Sequence, residues 1–303
     1  MKEKTYAAID IGSNAVRLLI KRVDNDAPSR EFSLKKLLLL RVPLRLGFDV
    51  FAKGEVSKKK VENLVRLMKA YKQLMKIYDV DCYRACATSA MRDACNGSEI
   101  IKDIKKETDI EIEIIAGKEE AGIVYNNHLE SGLHDNGNYL YVDVGGGSTE
   151  LNFISDGKLL DSASFNIGTV RILSDKVKPE EWARLNEFVS ELASRYPDIT
   201  IIGSGGNINK LYKMAETKDK EKSSFSVDEL SRMYHILKPL DMEQRMDLYA
   251  MRNDRADVII PASEIFLNIA SLCGASEIIV PQIGVADGII DGLYLADREK
   301  EKK

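Results

Sequence analysis

The chain has 303 residues, 44% of them hydrophobic and 30% charged, with a formal net charge of −4. That length accommodates two domains of ordinary size, and the composition is that of a globular protein. The acidic balance excludes a protein that coats nucleic acid, which needs a basic face, but it leaves room for a local basic pocket that holds a small polyanion.

In chain order, strands are predicted at 5–11, 15–23 and about 34–41. The first two meet at Asp10-Ile11-Gly12-Ser13-Asn14, a tip made of glycine, a hydroxyl and an amide. A helix covers roughly 57–78. Ser57 is its expected N-cap, Lys58, Lys59 and Lys60 a solvated first turn, and Val61, Leu64, Val65, Met68, Tyr71, Met75 and Tyr78 its apolar face. A strand at 82–87 puts Cys82, Arg84 and Cys86 on one side. It leads into Ala87-Thr88-Ser89-Ala90-Met91-Arg92-Asp93-Ala94-Cys95-Asn96. Small residues there let a ligand approach, Thr88 and Ser89 offer hydroxyls, and Arg92 offers a planar cation for phosphate. The plain alternative is a connection carrying an Arg–Asp surface pair. A helix near 98–107, a strand at 110–115 and a helix at 119–131 complete the order βββαβαβα. Glu119 and Glu120 open the last helix. The helix dipole alone accounts for acids in a first turn, and a carboxylate there could equally take a proton from water.

The second half repeats the order. Strands at 139–144 and 149–154 flank Asp143-Val144-Gly145-Gly146-Gly147-Ser148-Thr149-Glu150. Each glycine tip exposes backbone N–H groups with no side chain in the way, which suits phosphate oxygens. Two carboxylates, Asp143 and Glu150, bracket the second tip. Hard oxygens beside amide donors are what magnesium and its phosphate partner need. The alternative is an Asp closing a turn and a Glu on an exposed strand. A strand at about 158–165, a helix at 179–195 with Pro179 in its first turn, and a strand at 199–203 follow. Gly203-Ser204-Gly205-Gly206-Asn207 then opens a helix, a start that favours anions. Extra helical material fills about 206–250, one helix opening with the capping box Ser226-x-x-Glu229. A helix at 256–272, a strand at 277–280 and a helix at 285–298 complete the half. Arg17 and Arg171, from the hairpin regions, either line a pocket or are strand-surface charges.

The four cysteines, Cys82, Cys86, Cys95 and Cys273, show no Cys-x-x-Cys spacing and are expected to be buried reduced thiols. His128, His134 and His235 have no metal-ligand spacing. No apolar run is expected to span a bilayer and no signal segment precedes the first strand, so the expected location is cytoplasmic, without a membrane partner.

A repeated βββαβαβα unit is the layout of the duplicated ribonuclease-H-like, or actin-like, fold, in which mixed sheets are covered by helices and ligands bind between the domains. One domain is expected at 1–117 plus about 286–303, the other at 118–285 with the helical insertion at about 206–250. The motifs together resemble the exopolyphosphatase and guanosine pentaphosphate phosphatase (Ppx/GppA) family. The resemblance rests on Asp10-Ile-Gly-Ser-Asn-Ala-Val-Arg-Leu, Ala87-Thr-Ser-Ala-Met-Arg-Asp-Ala-Cys-Asn, Ile115-Ala-Gly-Lys-Glu-Glu-Ala and Val142-Asp-Val-Gly-Gly-Gly-Ser-Thr-Glu-Leu. It continues through Asn166-Ile-Gly-Thr-Val-Arg, Gly203-Ser-Gly-Gly and Arg255-Ala-Asp-Val-Ile-Ile-Pro.

The resemblance implies release of terminal phosphate from inorganic polyphosphate or guanosine pentaphosphate, with magnesium, and suggests a homodimer. Glu120 matches the family's catalytic base. Asp143 and Glu150 match the acids that organise the metal. Ser13, Asn14, Arg92, Gly145, Gly146, Gly147, Ser148, Gly205 and Gly206 match the phosphate cradle. Two segments depart from the family pattern, as does Ala262, which replaces a usual glycine after Pro261. Arg45-Leu-Gly-Phe-Asp-Val stands where Arg-x-Gly-Glu-Gly-Leu is usual. Gly284-Val-Ala-Asp-Gly stands where Gly-Leu-Arg-Glu-Gly is usual, so its arginine is absent. Two other readings are an ATP-dependent phosphotransferase of the same superfamily, and a regulator that binds an alarmone or polyphosphate without turnover.

Overall fold

The computed structural model describes residues 3–24, 34–126 and 137–301. Two compact units emerge, Met1–Gly132 with Val285–Lys303, and Leu133–Gly284. In chain order the first contains β1 (Thr5–Ile11), β2 (Val16–Val23), β3 (Leu34–Val42), α1 (Leu46–Lys53), α2 (Lys58–Ile77), β4 (Cys82–Ala87), α3 (Ser89–Asp93), α4 (Gly97–Thr108), β5 (Glu113–Ile114) and α5 (Gly117–Asn126). The second contains β6 (Asn138–Val144), β7 (Thr149–Ser155), β8 (Lys158–Phe165), α6 (Thr169–Leu173), α7 (Pro179–Arg195), β9 (Ile199–Ser204) and α8 (Gly206–Met214). It continues with β10 (Ser224–Ser226), α9 (Val227–Leu237), α10 (Met242–Tyr249), α11 (Asn253–Ala256), α12 (Ile259–Cys273) and β11 (Glu277–Ile279). The last helix, α13 (Val285–Glu301), returns to the first unit.

The sheet of the first unit runs β3-β2-β1-β4-β5, and that of the second β10-β11-β9-β6-β7-β8. The second therefore repeats the first, with β10 added antiparallel on β11. In each, a central strand pairs antiparallel with its hairpin partner and parallel with the strand that follows a crossover. Every residue of β1 is buried, because helices cover both faces and leave no solvated side to alternate toward. On one face α5 and α13 close over Tyr6, Ala8, Leu19 and Cys86. α2 buries Leu64, Val65, Met68, Tyr71 and Met75, and the Tyr71 hydroxyl donates to the Val16 carbonyl at 3.2 Å. In the second unit α12 lies in the core through Ile259, Ala262, Ile265, Phe266 and Ile269. Two mixed sheets with flanking helices, arranged as a duplicate, give the actin-like α/β fold.

Several local expectations are revised. The helix carrying Glu119 and Glu120 belongs to the first unit, because α5 packs on α13; the handover lies at 132/133 and not at 117/118. The insertion is not wholly helical, since β10 lies within it. Ser57 makes no side-chain cap; instead its backbone amide donates to Asp49 at 3.1 Å. Lys60 is not solvated like Lys58 and Lys59. Its ammonium donates to the Arg45 carbonyl and to Asp49, each at 2.6 Å, tying α2 to α1. Cys95 is exposed, whereas Cys86 is buried and burial pushes its thiol up to about 12. The segment Asn253–Cys273 is, by length and composition, apolar enough to cross a membrane, but its apolar residues are largely buried and it supplies the core of the second unit. His128 and His134 lie outside the described residues.

The capping box at α9 is only half formed. The Ser226 hydroxyl accepts from the Glu229 amide at 3.1 Å. The Glu229 carboxylate is taken by the Arg232 guanidinium, at 2.8 and 2.9 Å, and by the Glu216 amide at 2.8 Å. Arg232 first, and that amide with it, hold the Glu229 carboxyl down to about 2 from an ordinary 4.5. A depressed folded-state pKa stabilises the fold above the unfolded value and loses that stabilisation as pH falls toward the folded one. Urea unfolding between pH 6 and pH 2 is therefore expected to show a Glu229-dependent loss of stability that begins near pH 4.5. In Glu229→Gln that part of the acid dependence disappears, and the variant is already less stable at pH 6.

Candidate active site

Two hairpin turns, one in each unit, share one construction. In the first, the Gly12 amide donates to the Ala15 carbonyl at 3.1 Å; in the second, the Gly145 amide donates to the Ser148 carbonyl at 3.0 Å. Each turn is then held from behind by the helix start that follows the third strand. The Gly47 amide at α1 donates to the Ser13 carbonyl at 2.8 Å, and the Arg45 amide to the Asn14 carbonyl at 2.9 Å. At α6 the Thr169 amide donates to the Gly145 carbonyl at 3.1 Å, and the Val170 and Arg171 amides donate to the Gly146 carbonyl at 2.8 and 3.1 Å. With these carbonyls drawn backwards, the amide that follows each of them faces the other way, toward an anion, while the Gly12 and Gly145 amides close their own turns. The altered segment at Arg45–Val50 thus has a defined place, as support for the first turn.

Close approach demands glycine at two of these contacts. A Cβ on Gly47 would stand 2.9 Å from the Ser13 Cβ, and one on Gly168 would overlap the backbone of Gly146 and Gly147. Arg171 completes the brace by donating from Nε to the Gly147 carbonyl at 2.8 Å. It supports the turn and is not a bare strand-surface charge.

The acids at the two turns are arranged differently. Asp10 stands directly opposite Arg17 across β1 and β2, and the guanidinium donates to its carboxylate at 2.6 Å. The equivalent pair across β6 and β7 is Asp143 opposite Glu150. Residues directly opposed in antiparallel strands project from one face, with Cβ atoms about 5 Å apart. The second turn therefore carries two buried carboxylates side by side, Asp143 at 6% and Glu150 at 1% exposure. Ser164 Oγ lies 3.0 Å from Glu150 Oε1 and donates to it. Gly205 and Gly206 join this group: the chain passes so close at Gly205, with φ +97°, that a Cβ there would sit 2.9 Å from Asp143 Oδ1. Asp143, Gly145, Gly146, Gly147, Ser148, Glu150, Gly205 and Gly206 are thus brought together within the second unit.

The first unit collects the rest. Ser13 Oγ and Ser89 Oγ, both buried, share a hydrogen bond of 2.9 Å. Arg92 donates to the Ile115 carbonyl at 2.8 Å, and the same Nη1 stands 3.8 Å from Glu120 Oε2. Glu120 is 6% exposed. Asp287, in the altered Gly284–Gly288 segment, pairs with the buried Lys21 at 3.0 Å. Arg255, assigned no role from sequence, covers the start of α8: its guanidinium lies against Gly206 and donates to Asn207 Oδ1. Its signal was present in the Arg255-Ala-Asp motif, but the hydrogen bond to Asn207 spans 48 residues and has no local trace.

Among the described residues no group of three or more His, Cys, Asp or Glu side chains forms a cation cage. Magnesium is commonly held by one or two carboxylates with waters and substrate phosphates completing the octahedron. Asp143 and Glu150, buried on one face beside a turn with outward amides, fit that pattern.

The profile of the Ppx/GppA phosphatase family matches residues 22–297. The chain belongs to this family. A bifunctional 3-dehydroquinate synthase/phosphatase of Fusobacterium nucleatum is 28% identical over 91% of this chain and 44% of its own length. A guanosine-5'-triphosphate,3'-diphosphate pyrophosphatase of Aeromonas hydrophila is 25% identical over 95% of this chain and 59% of its own length. The chain thus spans about half of these two curated relatives. The crystal structure of the Aquifex aeolicus Ppx/GppA family member superposes with a TM-score of 0.77 at 27% identity, covering 97% of this chain and 99% of that one.

The brace behind the second turn is directly testable. Gly168 has an ordinary extended backbone, φ −143°, so Gly168→Ala adds only a steric conflict with the turn. It is expected to lower stability by roughly 1–3 kcal/mol, read as the urea midpoint, as overpacking does. Gly122→Ala, inside α5 where a Cβ meets nothing within 4 Å, is the control and is expected to leave stability unchanged or raise it by up to about 1 kcal/mol.

Proposed function

We propose that this protein is a phosphohydrolase that releases the terminal phosphoryl group of inorganic polyphosphate or guanosine pentaphosphate with the help of magnesium. The observation that carries the reading is the pair Asp143–Glu150 directly opposed on one sheet face, beside a turn whose carbonyls are hydrogen-bonded away. Membership of a phosphatase family and the name of the Aeromonas relative support the choice of a phosphoanhydride substrate.

In this mechanism the Gly145 amide closes the turn on the Ser148 carbonyl, and the amides of Gly146, Gly147 and Ser148, with those at Gly205 and Gly206, bind the phosphoryl oxygens. Ser13, Asn14 and Arg92 hold further phosphates of the substrate. Glu120 orients a water and takes its proton as the oxygen attacks phosphorus in line with the leaving phosphate. Arg92 Nη1 stands 3.8 Å from Glu120 Oε2, on the flank of the base. Asp143 and Glu150 would hold magnesium, which when bound draws charge from the phosphoryl oxygens. Phosphoryl transfer of this kind depends on positioning and electrostatics more than on covalent chemistry. Arg17 occupies Asp10 in the first unit, so that turn serves as an anion holder without a second metal.

The deciding assay measures phosphate release from short polyphosphate, long polyphosphate and guanosine pentaphosphate side by side, with magnesium. Turnover of at least one is expected; tight binding of all with no phosphate release would replace hydrolysis by a binding role. Glu120→Gln is expected to lower kcat by roughly 100-fold or more, and an unchanged rate removes it as the base. For Asp143→Asn the magnesium concentration giving half-maximal rate should rise about 10-fold or more.

A further inference from the structure

We propose that Arg84 is a positioning residue for Glu120, acting through Glu119. This rests on the reading of Glu120 as the base. Arg84 lies on β4, two residues before Cys86, whose parallel neighbour on β5 is Glu113. Its guanidinium reaches both carboxylates that flank the β5–α5 connection. Nε and Nη2 donate to Glu113 Oε2 at 3.2 and 2.7 Å, and the same Nη2 donates to Glu119 Oε1 at 2.6 Å. One nitrogen therefore joins the strand before the connection to the first turn of the helix after it. Arg92 grips the same connection elsewhere, through the Ile115 carbonyl, and stands beside Glu120 itself.

Glu119 immediately precedes Glu120, so whatever fixes its side chain fixes the rotation and height of that helical turn. The two carboxylates share one nitrogen. Without the guanidinium they would be left as neighbouring like charges, and their repulsion would open the connection and carry Glu120 out of line. Both acids are about half exposed, with side-chain exposures of 56% and 47%. The network therefore adds little to global stability. Its effect is geometric, and catalysis is steeply sensitive to geometry: a displacement of about 1 Å costs on the order of 100-fold in rate.

Arg84 donates to carboxylates and is assigned no part in holding substrate. That separates it from Arg92 in the kinetics. Removing a phosphate ligand raises KM, whereas displacing the base lowers kcat at unchanged KM. The charge logic also predicts a rescue. If repulsion between Glu113 and Glu119 displaces the turn, removing one of the two charges restores it.

The test uses the full chain, with phosphate release from the best substrate as readout and thermal unfolding as control. Arg84→Met is expected to lower kcat about 5- to 10-fold, with KM unchanged and the unfolding midpoint within a few degrees. Arg84→Lys should lie between the two. Arg84→Met combined with Glu119→Gln is expected to recover most of the lost kcat. Wild-type kcat in Arg84→Met, alongside an inactive Glu120→Gln, overturns the proposal while leaving the base in place. A raised KM without rescue by Glu119→Gln also overturns it, by making Arg84 a substrate ligand. Full activity of Glu120→Gln removes the base role itself, and this positioning role with it.

Discussion

Backbone hydrogen bonds from behind each glycine turn are the constraint on which the rest of the site depends. Amides at the start of α1 bind the carbonyls of Ser13 and Asn14, and amides at the start of α6 bind those of Gly145 and Gly146. A peptide group whose oxygen is fixed in one direction has its N–H fixed in the opposite one, since the unit is planar and trans. The turns are therefore preorganised as donors before any ligand arrives, and no reorganisation is required at the moment of reaction. The glycines that matter most to this are outside the turns. Gly47 and Gly168 let the bracing helices approach closely enough for the hydrogen bonds to form.

Duplication gives two such turns, and one pair of side chains distinguishes them. The cross-strand partner of Asp10 is a guanidinium and that of Asp143 is a carboxylate. The first arrangement is satisfied internally. The second sets two buried carboxylates side by side, with Ser164 donating to Glu150. The same backbone frame thus carries an acid–guanidinium pair in one unit and an acid–acid pair in the other. The first unit adds Glu120, set between Arg92 and the Glu119–Arg84–Glu113 chain.

What was legible in the sequence was local. The strands around each tip announce themselves as apolar runs broken by glycine, and the repeat of that signal is enough to reveal the duplicated fold. Glu120, Asp143 and Glu150 stand out as candidates through the motifs that hold them. The bracing helices were not: α6 has five residues and α1 has eight, too few turns to show a helical period. Nor was the partner of a long side chain legible. Lys60 reads as solvated until α1 places Asp49 and the Arg45 carbonyl within its reach. Glu229 completes a capping-box motif, yet its carboxylate is better satisfied by Arg232 and the Glu216 amide. The affiliation of α5 depends on α13, more than 150 residues later, which no local window contains.

That return of the last helix has a consequence for how the protein is made. α13 packs on α5 and β1 and is fastened by Lys21 to Asp287 and by Lys4 and Tyr6 to Asp297. The first unit is thus discontinuous, its sheet synthesised before the second unit and one of its covering helices after it. The second unit is an uninterrupted segment, Leu133–Gly284, and can close as soon as it leaves the ribosome. The N-terminal sheet has to wait for it. During that interval Tyr6, Ala8, Leu19 and Cys86 lack the cover that Ala286, Ile289, Ile290 and Tyr294 later provide. In a chain synthesised at about 5–20 residues per second, the interval lasts roughly ten seconds or more. The half of the protein that is translated first is therefore the half that finishes folding last, and it is the one most dependent on protection from aggregation in between.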